Sequence, residues 1–239
     1  MQSEKQFVKC VLAVDPDIKE FADLATVLDH LVALFSNFDL RVDPVFVVPL
    51  ELSNIASGLE LERFEDQVES ARQKFATVVN RVVGVQVSNP MVLRADTTNG
   101  QEWVWMVCEE ATKKGSDFFV VRTHAWGGIW RYFHGSFTEA LLGQSLLPIL
   151  VFGPKNRSDP GSGPILILSG DAKDPHEVIQ GARDWVVRLK YPYRILQVLK
   201  PDQESLEEAR LLVINRSLID PSHLRILFET SSCPILVFP

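Results

Sequence analysis

Asp-Phe-Phe-Val-Val-Arg-Thr-His-Ala-Trp-Gly-Gly-Ile-Trp-Arg-Tyr-Phe-His-Gly-Ser, residues 117–136, carries three local signals in one run. Residues 118–121 are apolar, aromatic and β-branched without alternation, the pattern of a strand buried on both faces. Gly127 and Gly128 then break the run, and His134-Gly135-Ser136 opens an amphipathic stretch, 136–144, with helical spacing. Strand, glycine-bearing loop and helix start, in that order, are how an α/β protein offers backbone N–H groups to a phosphate.

Upstream, residues 10–14 (Cys-Val-Leu-Ala-Val) read as a buried strand that ends at Asp15-Pro16-Asp17. Residues 18–35 place Phe21, Leu24, Leu28, Leu31 and Phe35 on one helical stripe. A strand over 42–50 follows, with Pro44 at its entry and Pro49 at its exit. The spacing predicts a long helix over 59–83, its stripe running through Phe64, Val68, Ala71, Phe75 and Val78 and its end set by Gly84. Residues 85–95 read as a strand that Asn89-Pro90 must bend or bulge. A helix over 101–114 closes on Lys113-Lys114-Gly115, cations and a glycine where a helix C-terminus favours them. One more buried strand, 147–152, ends this part of the chain.

Strands that alternate with helices and are uniformly apolar imply a parallel sheet covered on both faces. Right-handed crossovers place every strand C-terminus, including Asp15 and the glycine loop, along one edge. A ligand belongs on that edge.

Residues 155–163 (Lys-Asn-Arg-Ser-Asp-Pro-Gly-Ser-Gly) read as a linker. The pattern then restarts: strand 164–168, helix 174–190, strand 194–199, short helix 203–210, strand 211–214, helix 223–230 and strand 234–238. The last strand, Pro234-Ile235-Leu236-Val237-Phe238, repeats Pro148-Ile149-Leu150-Val151-Phe152 residue for residue. A repeat at the same place in each half indicates duplication. The second copy is shorter, with little room between Leu199 and Leu211 for a helix and a strand that the first copy has. The expected fold class is two doubly wound, flavodoxin-like or Rossmann-like parallel α/β domains in tandem, 1–154 and an abridged 164–239.

The chain has 239 residues, 46% of them hydrophobic and 23% charged, which is ample for a core. A net charge of −7 argues against nucleic acid or an anionic membrane as the main partner. No apolar run approaches the ~18 residues of a membrane span, and the polar start has no signal-peptide core. Cys10, Cys108 and Cys233 are odd in number and far apart, as buried reduced thiols are. A cytoplasmic location is the expectation.

The run Val-Leu-Ala-Val-Asp at 11–15, the 118–136 stretch and the closing Pro-Ile-Leu-Val together resemble the universal stress protein family, over essentially the whole chain. The resemblance implies a tandem member whose two domains pair internally as a pseudo-dimer. Strands 149–152 and 235–238 would meet as subunits of the family do, with a further homodimer and a protein partner of unknown identity also in view. It implies a non-catalytic stress-response or regulatory role. One subgroup of the family binds ATP through Gly-x-x-Gly, nine residues, then Gly-Ser/Thr. Counted back from Gly135-Ser136, the two leading glycines fall at Arg122 and Ala125. Gly128 matches a glycine inside the spacer, Asp15 the acidic residue at the nucleoside, and Val47 the strand near the adenine. ATP or AMP, held by Asp15, Val47, Arg122, Gly128, Gly135 and Ser136 and hydrolysed slowly if at all, is the alternative reading.

The plainer readings are a helix N-cap at Ser136 and a cap or an Arg122 ion pair at Asp15. His124 and His134 lack a third metal ligand at useful spacing. Ser136 with His134 makes no hydrolase, because there is no nucleophile elbow and no triad acid. Residues 214–221 carry no glycine loop, so phosphate binding is not expected in the second half.

Overall fold

The computed structural model describes residues 6–14, 21–49, 59–95, 100–123, 134–159, 161–170, 175–197 and 201–239. Their strands form one ten-stranded sheet. In chain order these are β1 (Gln6–Val14), β2 (Phe38–Pro49), β3 (Gln86–Val87), β4 (Met91–Ala95), β5 (Phe118–Arg122) and β6 (Ile149–Phe152). After the connection come β7 (Ile165–Leu168), β8 (Tyr193–Leu196), β9 (Leu211–Asn215) and β10 (Ile235–Phe238). The helices are α1 (Phe21–Leu34), α2 (Leu59–Val79), α3 (Gly100–Lys114), α4 (His134–Gln144), α5 (Pro175–Leu189), α6 (Gln203–Glu208) and α7 (Pro221–Thr230).

The spatial order is β3-β2-β1-β5-β6-β10-β9-β7-β8, with β4 also on β2. Taking β3 and β4 as one interrupted strand, the first six run 3-2-1-4-5, which is the Rossmann order of the two doubly wound alternatives and not the flavodoxin order 2-1-3-4-5. The last four repeat that order without its third strand, because only the short α6 lies between β8 and β9. All pairings are parallel except β6 with β10.

At that seam the register is Ile149↔Val237, Leu150↔Leu236 and Val151↔Ile235. Each residue faces the partner that the repeat makes its equivalent across a local two-fold axis, and Leu150 and Leu236 lie on the axis. The Pro148 and Pro234 carbonyls bond outward to Phe119 and Leu212. Alternation therefore turns the N–H groups of Ile149, Val151, Ile235 and Val237 into the seam, and Leu150 and Leu236 form a close, non-hydrogen-bonded pair. The repeat extends upstream to Ser-x-x-Pro-Ile-Leu-Val-Phe. Ser145 Oγ donates to the Leu147 carbonyl at 2.8 Å, and Ser231 Oγ makes the same 2.8 Å turn to Cys233.

Two cores flank the sheet. Leu24, Val27, Leu28, Leu31 and Leu34 of α1 recur every three or four residues and pack with α2 and α5 on one face. Buried residues of α3, α4, α6 and α7 cover the other. Within β6, Ile149 and Val151 join one core and Leu150 and Phe152 the other, which is why the strand is apolar at every position. Trp185 of α5 ties the halves together from one face, with ring centroids 5.5 Å from Phe35, 5.4 Å from Phe118 and 6.3 Å from Phe238.

β2 differs from the sequence expectation. It starts at Phe38, and Pro44 sits inside it, opposite Leu12 of β1. The Val42 carbonyl accepts from Ser88 N on the β3 side, so alternation turns the Pro44 nitrogen the same way. There β3 and β4 are interrupted at Ser88-Asn89-Pro90, and the missing N–H has no ladder bond to make. α2 stops at Val79, short of Gly84. At α3 the Ser116 N–H bonds Ala111 O and the Gly115 N–H bonds Thr112 O, with Gly115 at φ 62°: a Schellman cap where the sequence signal stood.

The connection after β6 is anchored against α6 and α7. A Cβ on Gly153 would lie 2.1 Å from the Phe228 carbonyl oxygen, and one on Gly163 2.1 Å from that of Glu208. Arg157 bonds the Ala209 carbonyl at 2.8 Å and that of Glu207, Asn156 Nδ2 bonds Ser231 O, and Arg157 N bonds Ser232 O. These groups close the C-terminal ends of α6 and α7. Arg216 does the reverse, capping α4 through the carbonyls of Leu142 and Ser145.

Candidate functional site

In the 3-2-1-4-5 order the chain leaves β1 toward β2 and returns to β5 on the other side, so the switch point lies between β1 and β5. The C-terminal ends there are Val14, buried, and Arg122, half-buried. Arg122 pairs with Phe152 of β6, and Thr123 N donates to the Phe152 carbonyl at 2.8 Å. Val47 lies on the same edge, in β2 beside Leu93 of β4. α4 begins at His134, which puts Gly135 and Ser136 in its first turn. The fold thus brings Arg122, Val47 and the backbone of Gly135 and Ser136 to one edge. Asp15 and Gly128 lie outside the described residues, as do His124 and Ala125. Among the described residues no group of three His, Cys, Asp or Glu side chains could hold a metal.

The equivalent edge of the second half is built differently. β9 runs straight into a single 3-10 turn, Arg216–Leu218, whose start is held by Asn215 Oδ1 accepting from Ser217 N. Asp220 then caps α7, its carboxylate accepting from Ser222 N at 2.8 Å, with Pro221 in the first turn. Hydrogen bonds from the Ser222 hydroxyl and N–H hold the Asp220 carboxyl below its ordinary range. A chain carboxylate already sits where an anion would bind.

The opposite edge of the first half holds a polar cluster that charge patterning did not reveal. Asp43 is 0% exposed on β2, 3.2 Å from Lys9 Nζ of β1 and 3.4 Å from Arg41 Nε. Lys9 Nζ also donates to the Lys114 carbonyl at 2.6 Å, and Lys9 N to Asp117 Oδ2 at 2.8 Å. Burial raises the Asp43 carboxyl, but the Ser88 hydroxyl and the Lys114 and Lys9 cations outweigh it and hold it below the usual carboxylate range. This cluster joins β1, β2 and the α3–β5 turn, and it is far along the strands from the switch point. Cys10 and Cys233 are buried free thiols; burial pushes both up, most of all Cys10, where the negative charges of Asp43 and Asp117 add to it. Neither has the thiolate character of a nucleophile.

Sequence reasoning missed Arg157 and Arg216, which close the ends of α6 and α4. The signal was present in part, since the repeat begins at Ser145 and Ser231, three residues before the proline.

No protein-family model matches the chain, and no curated protein matches it in sequence. Solved structures do match. A universal stress protein from Archaeoglobus fulgidus DSM 4304 superposes with a TM-score of 0.58 at 13% identity, over 98% of this chain and 97% of that one. A functionally unknown protein from Pseudomonas aeruginosa PAO1 gives 0.54 at 11% identity, over 98% and 93%. A provisionally named universal stress protein from Pseudomonas aeruginosa UCBPP-PA14 gives 0.52 at 12%, over 98% and 94%. At these identities the likeness is one of fold: the chain has the parallel α/β fold of the universal stress proteins along nearly its whole length.

Proposed function

We propose that the chain is a non-catalytic regulatory protein of the stress-response type, in which residues 1–154 form one universal-stress-like domain and 164–239 an abridged copy acting as its built-in partner. The observation that carries this reading is the seam, where identical segments pair antiparallel about a local two-fold axis, as two subunits would. The second half keeps the strands that make the seam and lacks the third strand. Its own anion position is filled by Asp220. Such a copy is suited to covering an apolar edge, and regulation by a cytoplasmic protein partner completes the proposal.

A second reading has one observation in its favour. Gly135 and Ser136 occupy the first turn of the helix that follows β5, on the switch-point edge with Arg122 and Val47. ATP or AMP held there, with Asp15 and Gly128 contributing, is the ligand this placement supports. Heat-released extracts of the purified protein, analysed for nucleotides, and calorimetric titration with ATP and AMP separate the two. Sub-millimolar ATP binding that Gly135→Asp weakens establishes the nucleotide reading; no heat at millimolar ATP removes it. Steady-state turnover of ATP that is lost in Gly135→Asp would contradict the non-catalytic role.

A further inference from the structure

His30 lies on the inner face of α1 and is 1% exposed. Its Nε2 stands 2.7 Å from the Arg157 carbonyl oxygen. A carbonyl only accepts, so Nε2 carries the proton and the neutral ring is the Nε2–H tautomer. Nδ1 is buried with no hydrogen-bond partner. The ring meets Phe152 of β6 edge-on, centroids 5.6 Å apart. A second proton would make Nδ1–H a buried donor with no acceptor and place a cation among apolar side chains.

The charged groups around the ring come from two elements. Arg157, on the connection, repels an imidazolium; Asp159, on the same segment, and Asp29, the neighbour on α1, attract it, while Phe152 offers no charge. Burial dominates and, with Arg157, holds the imidazole below its ordinary value despite the carbonyl bond and the two carboxylates. The sign follows: a depressed histidine contributes stability that is complete above its unfolded value and is lost as pH falls through the folded one.

What this ring holds is the anchor of the connection. Through Arg157 and Asn156 the same segment closes the ends of α6 and α7. We propose that His30 is a proton-operated latch: protonation at Nδ1 expels the ring from its site, frees the Arg157 carbonyl and loosens residues 153–159 from α6 and α7, while the β6–β10 strands stay paired. The device would let mild acid expose the junction between the two halves without unfolding either.

The test is hydrogen exchange by mass spectrometry on the full chain, corrected for intrinsic rates, between about pH 7.5 and about 5.5, where histidines titrate. One proton allows opening of peptides covering 153–159 to rise by up to about tenfold per pH unit between the open-state value of about 6.5 and the lower folded midpoint, and to level off below it. His30→Gln, which can donate to the same carbonyl but does not titrate, should show no such rise. Unchanged protection in the wild type, or the same rise in His30→Gln, overturns the latch. If that variant does not fold, an NMR titration of the wild-type ring decides. An Nε2–H ring with a midpoint below about 6.5 that coincides with the opening supports the latch, and a midpoint at or above that value overturns it.

Discussion

Gly153 follows β6 directly, and a Cβ there would stand 2.1 Å from the Phe228 carbonyl oxygen and 3.3 Å from its carbon, both backbone atoms of α7. Ordinary contact begins at 3.4 Å, so Gly153→Ala must move either the end of α7 or the connection by more than an ångström. Moving the connection breaks the bonds that hold it: Gly153 N to Asn156 Oδ1 at 2.8 Å, Asn156 Nδ2 to Ser231 O at 3.0 Å and Arg157 N to Ser232 O at 3.0 Å. At about 1 kcal/mol net for each, the expected loss is about 3 kcal/mol, the upper end of ordinary overpacking costs. With a urea slope of roughly 3 kcal/mol/M for a chain of this size, the midpoint falls by about 1 M. Urea unfolding followed by circular dichroism and tryptophan fluorescence measures it. Gly181, mid-helix in α5 with nothing within 4 Å of its Cβ position, is the control: Gly181→Ala should gain about 0.5–1 kcal/mol. A neutral Gly153→Ala beside a stabilising Gly181→Ala would refute the close packing of the connection.

Leu150 and Leu236 are each 1% exposed and face one another on the seam axis. Each alanine variant should cost about 2–5 kcal/mol, and a double-mutant cycle by urea unfolding should return a coupling of about 0.5–3 kcal/mol; strict additivity would mean the two side chains do not meet. Asp43 has its carboxyl held down in the folded chain, so its contribution is complete above the unfolded value of about 3.9 and is lost as pH falls through the folded one. Asp43→Asn should therefore cost about 3–5 kcal/mol at neutral pH, the usual loss on breaking a buried pair, and less below pH 4, read from urea midpoints against pH. Arg216→Ala removes the guanidinium from the end of α4 and should cost about 1–2 kcal/mol, with faster amide exchange at Ser145 and Leu147; unchanged exchange there would contradict the cap.

The strands that decide the topology were legible because both their faces are buried. Ile149–Phe152 and Ile235–Phe238 are apolar at every position and identical, so the repeat stood in the letters themselves. β2 was not legible over its first residues. Asp39 and Arg41 look like loop composition, and what lets the nearby Asp43 be buried is a lysine on a different strand. Pro44 read as a boundary because only the break between β3 and β4, a tertiary feature, makes a proline tolerable inside β2. Residues 155–163 show the same limit, since glycine and serine serve a loose linker and a backbone that must pass close to another equally well. At the candidate site, the place of Arg122 at a strand end and of Gly135 and Ser136 at a helix start followed from local pattern alone. Whether that edge takes a nucleotide depends on chemistry that spacing does not carry, because Arg122 stands where the resemblance expects a glycine.

The proposal that the second half is a built-in partner rests on the seam behaving as one piece with the rest of the sheet. Native-state hydrogen exchange resolved at the Ile149, Val151, Ile235 and Val237 amides tests it, because these four N–H groups point across the seam. All four should exchange only through global unfolding, with the same opening free energy and denaturant dependence as Val120 and Val213 in the strands on either side. Exchange of the four through a smaller opening, while Val120 and Val213 stay protected, would mean the halves separate while folded and would contradict it.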